Sequence, residues 1–159
     1  MQTQPQALDP RVVALWRVQR LIRACTWGMV FAGGLGAGVA WLGGAVLGAF
    51  AGGGLLAMQA LLAVIWPVLQ YRQFRFTLRS GDLLVEQGVL WRSWTSVPYH
   101  RIQHVDTRQG PLERIFGLAR VLIFTASGPL PDGSIPGLDE AAATELRDHL
   151  SRRGGDDGV

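Results

Sequence analysis

The chain has 159 residues, 48% of them hydrophobic and only 17% charged, against about 25% charged in ordinary soluble domains, which leaves room for one domain and not for two. Fifteen arginines, no lysine and twelve acids give a net charge of +3 and a pI near 10.0. The excess comes from four arginines and Asp9 within the first 23 residues, whereas the eleven arginines beyond residue 71 meet eleven acids, and this neutrality excludes a basic nucleic-acid-binding domain.

In chain order, residues 1–23 form a cytoplasmic N-terminal segment. Asp9-Pro10 reads as an N-cap followed by proline at the first helical position. Val12, Val13, Leu15, Trp16, Val18, Leu21 and Ile22 are apolar, and Arg11, Arg17 and Arg20 are not. Two readings stay open: a short helix lying in the headgroup region, or a plain cytoplasmic extension of the helix that follows. In the first, each arginine gains on the order of 1 kcal/mol against anionic lipid.

Residues 24–71 hold no charged side chain. As one helix they would run roughly 72 Å, more than twice the ~30 Å of a bilayer core. Two membrane-spanning helices, about 24–42 and 45–68, fit, with Gly43-Gly44 as the turn. The triplet Gly52-Gly53-Gly54 is the competing turn and leaves the second span short. Trp27, Trp41 and Trp66 then fall near the interfaces, where indole rings concentrate. A secreted leader would be shorter, and eleven glycines in this stretch would weaken a buried hairpin in water. Arginines flank both outer ends and none lies in the turn, so the positive-inside rule sets both termini in the cytoplasm of a two-pass inner (plasma) membrane protein. Gly36, Ala40, Gly44, Gly48 and Gly52 recur at four-residue spacing, a pattern that lets helices approach closely in lipid. They serve the two spans' own contact or a contact with another subunit. Cys25 is the sole cysteine, so no internal disulfide forms.

Beyond Pro67 the pattern becomes alternating. Phe74, Phe76 and Leu78 against Arg75, Thr77 and Arg79 predict a half-buried strand. Strands are expected at 83–87 and 94–97 and over Arg101–Thr107, where Ile102 and Val105 share a face only if a bulge intervenes. Gly110-Pro111 opens a short helix closed by Gly117, and 120–126, apolar on both faces, is a central strand. Residues 128–137 read as loop or irregular edge. Asp139 caps a last helix with Ala142, Leu146 and Leu150 on its buried face. The expected fold is a membrane-anchored α+β chain: a two-helix transmembrane hairpin, a domain over 72–153 made of a curved antiparallel sheet with a C-terminal helix, and a disordered tail over 154–159.

Two apolar helices followed by Val97-Pro98-Tyr99-His100-Arg101-Ile102-Gln103-His104-Val105-Asp106, then Gln109-Gly110-Pro111-Leu112-Glu113-Arg114-Ile115-Phe116-Gly117-Leu118-Ala119, Thr125-Ala126 and Ile135-Pro136-Gly137-Leu138, resemble bacterial PH-domain membrane proteins of the YdbS-like type. The resemblance covers about residues 20–153. It implies a PH-like fold, a bent barrel-like antiparallel sheet closed by the C-terminal helix, and it carries over no catalytic residue.

The side chains themselves argue against chemistry. His100 and His104 sit four apart on a strand, roughly 13 Å, too far to share an ion. His104 and Asp106 share a strand face and are expected to pair. Glu113 and Asp106 have arginines nearby that favour ion pairs over paired-carboxylate catalysis, and no nucleophile stands beside a base. No enzyme activity, metal or cofactor is expected. Two function classes remain. In the first, the chain is a membrane-held interaction module that recruits or assembles protein partners at the cytoplasmic face, through Trp91, Arg92, Trp94 and Arg101. In the second, it senses anionic lipid headgroups through arginines near the membrane, with Arg72, Arg75 and Arg79 facing lipid and Arg92 and Arg101 adding guanidinium forks. The expected partners are membrane lipid and another membrane protein, a related PH-domain protein or a second copy of the chain among them.

Overall fold

The structure, a computed structural model, describes residues 6–126, 128 and 130–156. It divides into two compact units, one spanning Trp16–Leu69 and one built from the residues on both sides of it.

The Trp16–Leu69 unit is a helical hairpin. Helix α1 (Arg11–Arg23) passes through a π turn (Ala24–Gly28) into α2 (Met29–Gly43), and this unbroken run of 33 residues faces a 29-residue α3 (Ala45–Gln73). Each is long and apolar enough to cross a bilayer. Gly44 reverses the chain at φ 93°, a conformation open to glycine and strained for other residues, and its N–H donates to the Ala40 carbonyl at 3.0 Å. The hairpin closes along a seam of small residues. A Cβ on Gly36 would lie 3.0 Å from the Gly48 carbonyl, and one on Gly52 would lie 2.9 Å from that of Ala32. A Cβ on Gly48 would collide with the Gly36 carbonyl and with Ala40. Gly36, Ala40, Gly48 and Gly52 are therefore seam residues, whereas Gly44, expected among them, makes the turn and faces open space. Helix α3 also continues through Pro67 to Gln73 rather than ending near 68, since membrane helices tolerate a proline whose freed carbonyl is satisfied elsewhere.

The other unit holds two three-stranded antiparallel sheets. The first is β1 (Arg75–Leu78), β2 (Asp82–Gln87) and β3 (Ser93–Pro98), in that order; the second is β4 (Ile102–Arg108), β5 (Leu118–Thr125) and β6 (Gly133–Asp139), also in order. A short helix α4 (Pro111–Ile115) joins β4 to β5, and α5 (Glu140–Asp156) follows β6. The core comprises Phe76, Leu83, Val85 and Val97 from the first sheet, Val105, Val121, Ile123 and Ile135 from the second, and Ala143, Leu146 and Leu150 from α5, all buried. Tyr99, 1% exposed, sits in the 3-10 turn Tyr99–Arg101 between the sheets, and its hydroxyl donates to the Arg79 carbonyl at 3.0 Å.

Several expectations are revised. Residues 133–139 form β6, paired with β5 despite Pro136, because proline is tolerated in an end strand. Helix α5 consequently starts at Glu140, with Asp139 accepting from the Ala141 N–H at 3.2 Å. Its buried face carries Ala143 instead of Ala142, which is exposed. Residues 154–156 are helical rather than a loose tail, and 157–159 lie outside the described residues. The β4 register does shift between Ile102 and His104, so Ile102 and Val105 are both buried.

The largest revision concerns the N-terminal segment, because the domain is not the single stretch 72–153. Gln6 extends the first sheet: its N–H donates to the Phe76 carbonyl at 2.8 Å and its carbonyl accepts from Phe76 at 3.2 Å. Three residues on, the Asp9 N–H donates to the Gly137 carbonyl of β6 at 3.0 Å. Leu8, Val12 and Leu15 are buried at 3%, 0% and 1%, and the Tyr71 hydroxyl donates to the Leu8 carbonyl at 3.2 Å. The segment is a strap stitching both sheets. Leu8, Val12 and Leu15 face protein, a role that neither open reading of the segment had assigned, whereas Leu21 and Ile22 further along stay exposed.

Candidate interaction surface

The outer face of the first sheet is set by register. Arg75 stands opposite Glu86, and Glu86 opposite Trp94, so these three form one row across the strands. Period-two alternation puts Val97 inward and Trp94 and Ser96 outward on β3. β3 is also an end strand, hydrogen-bonded to β2 on one side. The five residues joining β2 to β3 turn on Gly88, at φ 121°, where a Cβ would collide with the Trp91 carbonyl. That turn thrusts Leu90, Trp91 and Trp94 into the open, at 70%, 85% and 62% exposure. Arg92 is exposed beside them, and neither it nor Arg75 makes an ion pair among the described residues.

The structure groups the candidate residues differently from the sequence reading. Trp91, Arg92 and Trp94 lie together at the tip. Arg101 follows the opposite end of β3, roughly 20 Å of strand away, and is not part of that cluster. Arg75, one of the three arginines expected to face lipid, stands in the Trp94 row. Arg79 is turned to Asp82 at 3.7 Å. Arg72 is exposed in the last turn of α3.

Other polar groups of the strand domain make contacts within it. His104 stacks on the Phe124 ring at 4.3 Å and does not pair with Asp106, whose carboxylate lies 3.7 Å from Arg108. Glu113, 3% exposed, accepts from the Gly110 N–H at 2.6 Å and bonds Arg120 at 2.7 Å; its partner is Arg120, not the adjacent Arg114. Among the described residues no three His, Cys, Asp or Glu side chains converge as a metal site would require.

The sequence pattern of the bacterial PH domain family matches residues 30–154. The chain belongs to that family. It is 30% identical over 169 aligned residues, covering 96% of this chain and 94% of its relative, to the UPF0699 transmembrane protein YdbS of Bacillus subtilis (strain 168). Among solved structures, a DUF1696 family protein with a pleckstrin-homology domain from Shewanella loihica PV-4 aligns with a TM-score of 0.41 and 16% identity, over 59% of this chain and 90% of that one. Like that relative, named a transmembrane protein, this member of the bacterial PH domain family carries helices long and apolar enough to cross a membrane, two in number among the described residues.

Proposed function

We propose that this bacterial PH domain protein is a non-enzymatic module that recruits or assembles another membrane protein at the cytoplasmic face of the inner membrane. The observation that carries the reading is the exposure of Leu90, Trp91 and Trp94 on an end strand, with Arg92 beside them. Tryptophan and arginine dominate the energetics of protein interfaces. An end strand offers unpaired backbone groups to an extended partner segment. The fitting partner presents apolar pockets and an acid for Arg92. A two-pass arrangement with cytoplasmic ends is supported by the arginines at both outer ends of the hairpin. It is supported again by the strap, since a chain whose flanks fold into one domain crosses a membrane an even number of times.

The test is photo-cross-linking from Ser93 in native membranes of cells producing the full chain. Discrete protein adducts that disappear in Trp91→Ser/Trp94→Ser are the expected result. Adducts to lipid alone would sink partner recruitment and favour headgroup sensing, in which case Arg72→Gln and Arg75→Gln should weaken lipid capture.

A further inference from the structure

Within the helical hairpin, a notch of about 260 Å³ is lined by Arg20, Arg23 and Trp27 on one side and Gln59, Leu62 and Ala63 on the other. Two features single it out. The chain opens it with the π turn Ala24–Gly28, an irregularity that recurs at functional sites. The Thr26 hydroxyl steadies that turn by donating to the carbonyls of Ile22 at 3.1 Å and Arg23 at 3.2 Å. The second feature is Gln59, the one amide side chain in the apolar stretch from residue 24 to residue 69. No described residue hydrogen-bonds it, and its Oε1 lies so close to Gly28 that a Cβ there would collide. An amide left without partners in hydrocarbon costs several kcal/mol, and polar groups at that depth mark sites of function.

The distances define the ligand. Gln59 lies seven residues, roughly 10 Å of helix, from Trp66, over whose ring Arg20 stacks at 5.6 Å. Gly28, level with Gln59, lies five residues beyond Arg23, roughly 7 Å further along the helix. The notch thus presents guanidinium groups at the bilayer boundary and an amide about one helical turn deeper. A glycerophospholipid carries its polar groups in that order: an anionic phosphate outermost, ester carbonyls beneath it, and then acyl chains. We infer that the notch holds one glycerophospholipid, its phosphate met by Arg20 and Arg23 and an ester carbonyl accepting from the Gln59 amide. Arginine suits the outer role because its planar fork meets phosphate oxygens two at a time. Leu62, Ala63 and the Trp27 ring supply apolar wall for the chains. Free phosphate could satisfy the arginines and leaves Gln59 unmet.

The test is native mass spectrometry of the detergent-solubilised full chain, titrated with phosphatidylglycerol, with its diether analogue lacking ester carbonyls, and with inorganic phosphate. The intact chain is expected to retain one diester lipid, with weaker retention of the diether and none of phosphate. Arg23→Gln should lower retention of both lipids about tenfold, Arg23→Lys less, and Arg114→Gln, outside the hairpin, not at all. Gln59→Leu should reduce diester retention to the diether level and leave diether retention unchanged. Circular dichroism verifies that each variant keeps its helices. Equal retention by Arg23→Gln and the intact chain overturns the site, and so does phosphate competing as well as lipid. Equal diester retention by Gln59→Leu overturns the assigned role of the ester.

Discussion

Arg11 Nη2 lies 2.7 Å from Asp139 Oδ1 and 2.9 Å from Asp9 Oδ2, joining the start of α1 to the junction of β6 and α5. The hydrogen bonds from Arg11, with its charge adding, hold the Asp9 carboxyl below its usual 3.8 against an opposing desolvation effect. A depressed carboxylate contributes stability that is present above its unfolded pKa and is lost as pH falls through the folded one. Thermal melts of the full chain should therefore show the intact protein losing stability as pH drops below about 4. Arg11→Gln should melt lower at neutral pH and show a shallower acid dependence.

The strap should be indispensable to the strand domain. Leu8→Ala empties a buried site and should cost about 2–4 kcal/mol. Gln6→Pro removes the N–H that reaches the Phe76 carbonyl and should destabilise as well. Gly137→Ala should be worse than its size suggests, because Gly137 has φ 65° and a Cβ there would collide with Val12. Chemical denaturation followed by tryptophan fluorescence measures all three.

Much of the strand domain was legible from alternation, because half-buried strands such as β1 and β3 show their inward and outward residues directly. The strap was not. Leu8, Val12 and Leu15 are apolar whether they meet lipid or protein, and composition does not separate the two destinations. β6 was hidden by Gly133, Pro136 and Gly137, residues that usually punctuate loops; Leu146 and Leu150 of α5 were legible all the same, and only Ala143 was missed beside them. At the surface, Trp91 and Trp94 were legible as candidates from type and position near a turn. Their exposure, and the row joining Arg75 to Trp94, depend on strand register, which no local pattern specifies.

Glu113 should behave as a buried structural acid. Glu113→Ala leaves the Gly110 N–H and one face of Arg120 without partners. Since Arg120 is itself 42% exposed, the loss should be about 2–3 kcal/mol, below that of a fully buried pair. Double-mutant cycles with Arg120→Ala, read from urea midpoints, give the coupling.

The hairpin seam predicts a contrast between glycines. Gly48→Val drives a side chain into the Gly36 carbonyl and Ala40, and should cost roughly 1–3 kcal/mol as overpacking does. Gly53→Ala and Gly33→Ala point into open space and should be tolerated. Melting temperatures of the three variants in one detergent make the comparison; equal losses would contradict the seam.

Because the domain is assembled from residues on both sides of the hairpin, its parts leave the ribosome far apart in time. Leu8 and Val12 emerge first and have no neighbours until Phe76 and Gly137 follow, after both apolar helices have been made. Long-range contacts of this kind form late. Synthesis of the hairpin is therefore complete before the domain closes, and the strap is among the last pieces set in place. Until the strap is in place the edge of β1 at Phe76 stays open, and an open strand edge invites pairing with other chains. Sealing of the strand domain thus waits on a segment made before either apolar helix.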